Sequence, residues 1–300
     1  MTSLQDKLSP SRASAGLGMD AQVHHLNLFQ TVVTYAILVL GAAVLMVPFF
    51  WMLSTSLKTE AEVQVWPIKW IPSKIMWINY VDVFARVPFA RYMGNSALLA
   101  GVGIVGQIVG SSISGFGFAR MRFPGRELFF FVMLSTMMLP TWVVIVPHFM
   151  MFSAVDWLDT YLPIMVPAFF GSPFYIFLCR QAFLGISPEL EDAARIDGAS
   201  SLRIFVQIFL PLTKPTLATI AIFAFFYYWN DLLYPLVYLR SQLKFPIALG
   251  MRMFQQAEFG VVHYPRMMAA AVLSMAPLLI IFFFAQRLFI QGVVMTGVEK

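Results

Sequence analysis

The sequence predicts an all-α polytopic membrane protein with six transmembrane helices. Three observations carry that expectation. Hydrophobic residues make up 59% of the chain and charged residues only 12%, where a soluble domain carries about a quarter charged. Six apolar runs each approach the roughly 20 residues needed to cross a bilayer. Between the fourth and fifth runs lies a polar, helix-forming island at 188–215.

Residues 1–28 form a polar tail rich in Ser, Gly and Ala. The tail is too long and too weakly basic for a signal-peptide n-region, and the following apolar run exceeds an h-region. Residues 29–53 are therefore read as an uncleaved first span. Segment 54–91 follows, with Trp66, Trp70 and Trp77 and with Pro67 and Pro72, a composition suited to a chain lying along the outer interface and anchored by indole rings. The remaining core, 92–290, holds five spans at 92–119, 128–151, 161–183, 216–239 and 267–289, and a short polar tail closes the chain at 291–300.

Within span two, Gly101, Gly103 and Gly106 satisfy G-x-G-x-x-G, but no strand precedes them and the motif sits inside an apolar helix, so no nucleotide site follows. Gly106, Gly110 and Ser114 instead form a small-residue stripe for close helix packing. Pro140 and Pro147 in span three, and Pro163, Pro167 and Pro173 in span four, interrupt the helical ladder where neighbouring helices or water satisfy the freed carbonyls. His148 is read as a buried structural histidine.

Orientation follows from positive charge in short loops. Arg120, Arg122 and Arg126 lie between spans two and three, and Arg195, Arg203 and Lys214 lie in or beside the polar island, whereas Asp156 and Asp159 lie between spans three and four. Both termini, the 120–126 turn and the island are thus expected in the cytoplasm.

In the island, Pro188 opens a helix whose first turn carries Glu189, Glu191 and Asp192, matching the positive helix end. Gly198 permits a break, and a second helix runs from about Ser200 until Pro211 and Pro215 stop it. Asp192-Ala193-Ala194, Gly198, Ile208, Leu210 and Pro211 resemble the cytoplasmic EAA loop of type I ABC-importer permeases, and the longer stretch from Glu189 through Asp197 to Ser200 resembles the carbohydrate-importer branch, the maltose-type permeases, more closely than others. The Phe123-Pro124-Gly125 turn and the polar ending agree with that resemblance. Asp replaces the usual Glu at the first EAA position.

The resemblance implies a mechanical role. Helix 188–197 would dock in a cleft of an ATPase subunit, with Ala193 and Ala194 allowing close approach and Asp192 pairing with a basic group. Gly198 would turn the chain into a second helix continuous with span five through Leu210-Pro211, so that ATPase closure tilts the spans. It also implies a second, homologous permease, two ATP-binding subunits that hold ATP and Mg, and an extracytoplasmic solute-binding protein.

Span five carries Tyr227, Tyr228, Trp229, Asn230, Asp231 and Tyr234. Aromatic rings stack on sugar faces and Asn and Asp bind hydroxyls, so these are the candidate pathway residues; an aromatic belt with Asn230 and Asp231 fixing helix packing uses the same residue types. A charged Asp231 in hydrocarbon costs about 3 kcal/mol or more and should face the bundle or the interface. No catalytic constellation, Walker motif or four-cysteine metal site is present, with Cys179 the sole cysteine, and the small net charge of +5 gives no support for nucleic-acid binding. The chain is read as a non-enzymatic transport subunit that binds no cofactor itself. An ion-coupled secondary transporter, or an importer for a non-sugar solute such as glycerol phosphate, is the alternative.

Overall fold

The computed structural model describes residues 27–255 and 263–295. The expected tail 1–28 lies almost wholly outside the described residues, as do 296–300. The chain divides into two compact units, Met1–Phe50 and Trp51–Lys300. The described part of the first unit is helical and belongs to α1 (Leu28–Ser56), which is apolar all round and carries Pro48. This helix extends three residues beyond the expected end of the first span.

In the second unit, Ser54, Thr55, Ser56 and Lys58 are buried. The Lys58 ammonium donates to the Lys69 carbonyl and lies 4.0 Å from the centre of the Trp51 ring. The Asn79 amide donates to the carbonyls of Ser56 and Lys58, both at 2.9 Å. Segment 54–91 therefore does more than lie along an interface. It folds back on itself and ends in α2 (Ile78–Arg86), whose Val83 is fully buried. Trp66, Trp70 and Trp77 remain exposed, as interfacial rings do.

The centre of the unit is α3 (Phe89–Arg120), against which spans four and five pack. The glycine stripe explains the closeness. A Cβ on Gly110 would stand 2.6 Å from the Gly171 nitrogen and 2.7 Å from the Phe169 carbonyl carbon, and one on Gly106 would stand 2.8 Å from the Ala168 Cβ. Ser114 is only partly buried, and Gly115 continues the packing surface instead, against Cys179.

Three of the expected spans are not continuous helices. Span three consists of α4 (Arg126–Ser135) with a 3-10 turn to Met138, followed by α5 (Thr141–Ala154), and the two arms are bent by 103° at Leu139-Pro140. Pro140 cannot donate to the ladder and its ring disfavours helical backbone at Leu139, which is extended. Span four begins as the short turns Leu162–Met165 and Pro167–Phe170, breaks at Gly171 with φ +76°, and resumes as α6 (Pro173–Leu184). Span five is α8 (Lys214–Asn230), which stops short of the expected end at 239; Asp231 is extended and a separate turn, Leu233–Tyr238, follows. Between α6 and α8 lies α7 (Pro188–Ile196). The last helix, α9 (Tyr264–Met295), passes the expected boundary at 290. By length and composition, four helices among the described residues could cross a membrane, or six if each of two bent pairs forms one span.

Contacts sort to two ends of this unit. At one end, Arg120, the end of α6 and α7 meet. At the other, the Asp159 carboxylate accepts from the backbone N–H groups of Arg240 and Ser241 at 3.0 and 2.9 Å, and pairs with Lys244 at 3.1 Å. Nearby, Asn95 donates to the carbonyls of Leu243 and Phe245, and His263 and Glu60 lie 2.9 Å apart.

Candidate functional site

Two places carry chemistry. The first is the island around α7. Ser187 caps the helix, its hydroxyl accepting from the Glu189 N–H at 3.3 Å, and Pro188 occupies the first turn where no donor is needed. Asp197 ends the helix, and Gly198 follows at φ +78° with open space around it. Glu189, Asp192, Ala193, Asp197 and Gly198 are exposed, and Ala194 is half-buried. Leu190 and Ile196 are also exposed, Ile196 at 87%. The acid-alanine face is thus presented outward.

Glu191 is the exception in the acidic set. It is 8% exposed and turned inward, where its carboxylate lies 3.7 Å from Arg120 at the end of α3 and 2.8 Å from Arg195 one turn on. Arg120 also donates to the carbonyls of Phe183, at 2.6 Å, and Ile186. Beneath it, Phe116, Phe183, Phe205 and Phe209 form an aromatic cluster with ring centres 5.1 to 6.3 Å apart. Such edge-on pairs contribute about 0.5–1.5 kcal/mol each beyond area burial. A polar cleft of about 740 Å³ opens beside this point, lined by Arg122, Arg126, Asp192, Arg195 and Ser201 among others.

The second segment of the island departs from the expected straight rod. It runs through Ser201–Ile204, a π-helical turn at Phe205–Phe209, and Leu210–Leu212. Pro211 does not stop it; Pro211 and Pro215 each sit in the first turn of a helical piece, which tolerates proline. The segment then bends by 77° into α8 at Thr213, which is buried and whose hydroxyl donates to the Phe209 carbonyl at 2.8 Å. Leu210 is half-buried and Pro211 exposed.

The second place is a cavity of about 570 Å³ near the Asp159 end. Tyr227, Tyr228, Asp231 and Tyr234 line it. Trp229 and Asn230 do not. The Trp229 indole is buried against α9, donating to the Ser274 carbonyl at 3.1 Å, and Asn230 folds back onto the Phe226 carbonyl at 2.8 Å. No local pattern announces the other walls: Gln107, Trp157, Tyr175, Tyr238 and the broken stretch 163–172. Gln107 ties the two sides, donating to the Tyr228 hydroxyl at 3.2 Å and accepting from the Ser172 N–H at 2.8 Å. His148 also lines the cavity and is exposed, not a buried core histidine. Its position beyond the Pro140 bend, which turns α5 aside, explains the difference. Among the described residues, no group of three His, Cys, Asp or Glu could hold a metal ion.

A helical bundle built on broken spans, with a polar helix–turn–helix at one end and an aromatic cavity near the other, defines a membrane transport permease. The chain belongs to the family of binding-protein-dependent transport system inner membrane components, whose match covers residues 106–295. It is 34% identical to the arabinooligosaccharides transport system permease protein AraQ of Halalkalibacterium halodurans, over 76% of this chain and 81% of that one. It is 33% identical to the sn-glycerol-3-phosphate transport system permease protein UgpE of Salmonella typhimurium, over 88% and 96%. Among solved structures, a chain of a bacterial ABC transporter involved in the import of the acidic polysaccharide alginate matches with TM-score 0.76 and 25% identity, over 86% of this chain and 95% of that one. A chain of a bacterial alginate ABC transporter in complex with an alginate pentasaccharide-bound periplasmic protein matches in fold, with TM-score 0.63 and 16% identity, over 86% and 93%. As a permease of this family, the chain is a transport subunit and not an enzyme.

Proposed function

We propose that this chain is one of two permeases of an ATP-driven, binding-protein-dependent sugar importer, and that the exposed face of α7 couples it to an ATPase. The observation that carries this reading is the presentation of Asp192 and Ala193 on a capped helix fixed to the bundle from behind. Two ATP-binding subunits holding ATP and Mg, a second homologous permease and an extracytoplasmic solute-binding protein complete the assembly. Positive charge in the 120–126 turn and the island puts that end, with both termini, in the cytoplasm. The Asp159 end then faces the binding protein, and the aromatic cavity lies on the solute's route.

A sugar suits the cavity because tyrosine and tryptophan rings present flat apolar faces while Gln107 and Asp231 supply hydrogen bonds. The relative named for sn-glycerol-3-phosphate favours a phosphorylated polyol instead. Against it, the residues lining the cavity include Asp231 and neither Lys nor Arg, so they offer a phosphate no cation.

The test is purification of the tagged chain in mild detergent from its native membrane, followed by reconstitution of the recovered complex with its binding protein. Co-purification of an ATPase and a second permease, with ATP-dependent uptake of neutral oligosaccharides, is the expected result. A lone chain transporting under an ion gradient without ATP would refute the importer reading in favour of a secondary transporter. Uptake restricted to glycerol phosphate would refute the sugar assignment alone.

A further inference from the structure

We infer that Arg120 is the positioning residue through which motion of α7 reaches the second and fourth spans, so that the stroke passes to these spans directly and not along a rigid rod into span five. The inference rests on the coupling function proposed above for α7.

The expected path leads from the island into span five, but that path is not one straight helix. Between α7 and α8 stand the open Gly198 turn, a π-helical turn at Phe205–Phe209 and a 77° bend at Thr213. Only the Gly198 turn has open space around it; Phe209 and Thr213 are buried, but the wide turn and the bend interrupt the regular α-helical ladder. A push delivered to α7 is therefore not carried along one continuous helix axis into span five.

Arg120 offers a more direct path. Its side chain is 10% exposed and belongs to the last turn of α3. One guanidinium nitrogen donates to two carbonyls at the end of span four, those of Phe183 and Ile186, and another faces Glu191 on α7 at 3.7 Å. Its cationic carbon lies 5.0 Å from the centre of the Phe209 ring, which adds the π-helical turn as a fourth element. The planar fork presents its donors in fixed, separated directions, whereas a lysine offers its three donors from a single point on a flexible stem. Glu191 is the one acidic residue of α7 that is buried, so the helix meets its partner with one face and the bundle with this carboxylate. Because α3 also packs through Gly106 and Gly110 against the broken stretch that lines the cavity, a shift of Arg120 is felt at the solute's route.

The experiment uses the whole importer in proteoliposomes with its binding protein and measures solute uptake and ATP hydrolysis on the same vesicles. Glu191→Gln keeps the volume and removes the charge; Arg120→Lys keeps the charge and removes the fork. Both are expected to retain the ATPase through purification and to hydrolyse ATP while moving about fivefold less solute per ATP, the lower end of ordinary coupling between sites. Glu191→Asp, which restores the charge, should recover part of the ratio. Glu127→Gln breaks the ion pair with Arg180 at the same end of the bundle and should leave the ratio unchanged. An unchanged ratio in both Glu191→Gln and Arg120→Lys overturns the inference. So does loss of the ATPase subunit from both, which would assign the pair to docking. Failure of the wild-type vesicles to couple ATP to uptake would instead overturn the importer reading.

Discussion

Adding one methyl group at Gly110 tests whether the bundle is held by backbone proximity. The Cβ of Gly110→Ala would lie 2.6 Å from the Gly171 nitrogen and 2.7 Å from the Phe169 carbonyl carbon. Ordinary contact needs about 3.5–4.0 Å, so α3 and the broken stretch of span four must part by roughly 1 Å. Both neighbours are backbone, so no side chain can swing away. Overpacking of this kind costs about 1–3 kcal/mol, and the upper figure applies where backbone must move. Alanine's better helix propensity returns about 1 kcal/mol, leaving a net loss of about 2 kcal/mol, or roughly 30-fold in the folding equilibrium. Gly101, on the same helix, has nothing within 4 Å of the point where a methyl would stand, so Gly101→Ala should gain about 1 kcal/mol from propensity alone. Thermal unfolding of the purified variants in one detergent, followed by size-exclusion recovery, compares them directly. Equal melting of the two variants would refute the packing argument.

Three further outcomes are expected. Hydrogen bonds from the Ser241 hydroxyl and the backbone N–H groups of Ser241 and Arg240 hold the Asp159 carboxyl well below its ordinary value of 3.8. Its contribution to stability is therefore present above the unfolded value and lost as pH falls through the depressed one. Asp159→Asn should melt below the wild type at pH 7, with the gap closing below about pH 4. At Gly198, a side chain in the left-handed region costs about 1–2 kcal/mol, less for Asn; Gly198→Val should lose more ATPase partner in pull-down than Gly198→Asn. Tyr228→Phe removes the hydroxyl that accepts from Gln107 and should lower solute uptake by severalfold with ATP hydrolysis retained, measured on the same proteoliposomes.

Much of the architecture is legible in the sequence because membrane spans are specified by composition over long windows. The breaks within them are only half legible. Pro140 announces an interruption, but the 103° bend depends on how α4 and α5 pack. The break at Gly171 needs knowledge of its φ, which a glycine permits without requiring. In the island, cap, acidic turn and glycine stop are local signals, and α7 follows them. Glu191 reads like the exposed acids around it because its partner Arg120 lies far away in the chain, where no local rule reaches. In span five, each residue advances the helix by about 100°, so neighbours such as Tyr228, Trp229 and Asn230 face different surroundings. Residue types alone cannot say that Trp229 turns to α9 while Tyr228 faces the cavity.

The π-helical turn at Phe205–Phe209 holds one more residue than an α-helical turn would. Its surplus is a matter of chain length as well as shape. Relatives that lack the wide turn should align with a one-residue gap there, and Ile204 and Thr213 on either side should keep their partners across that gap. Shortening the chain by one residue inside 205–209 should then be better tolerated than the same deletion anywhere in α3, where it would rotate every later glycine off its packing face.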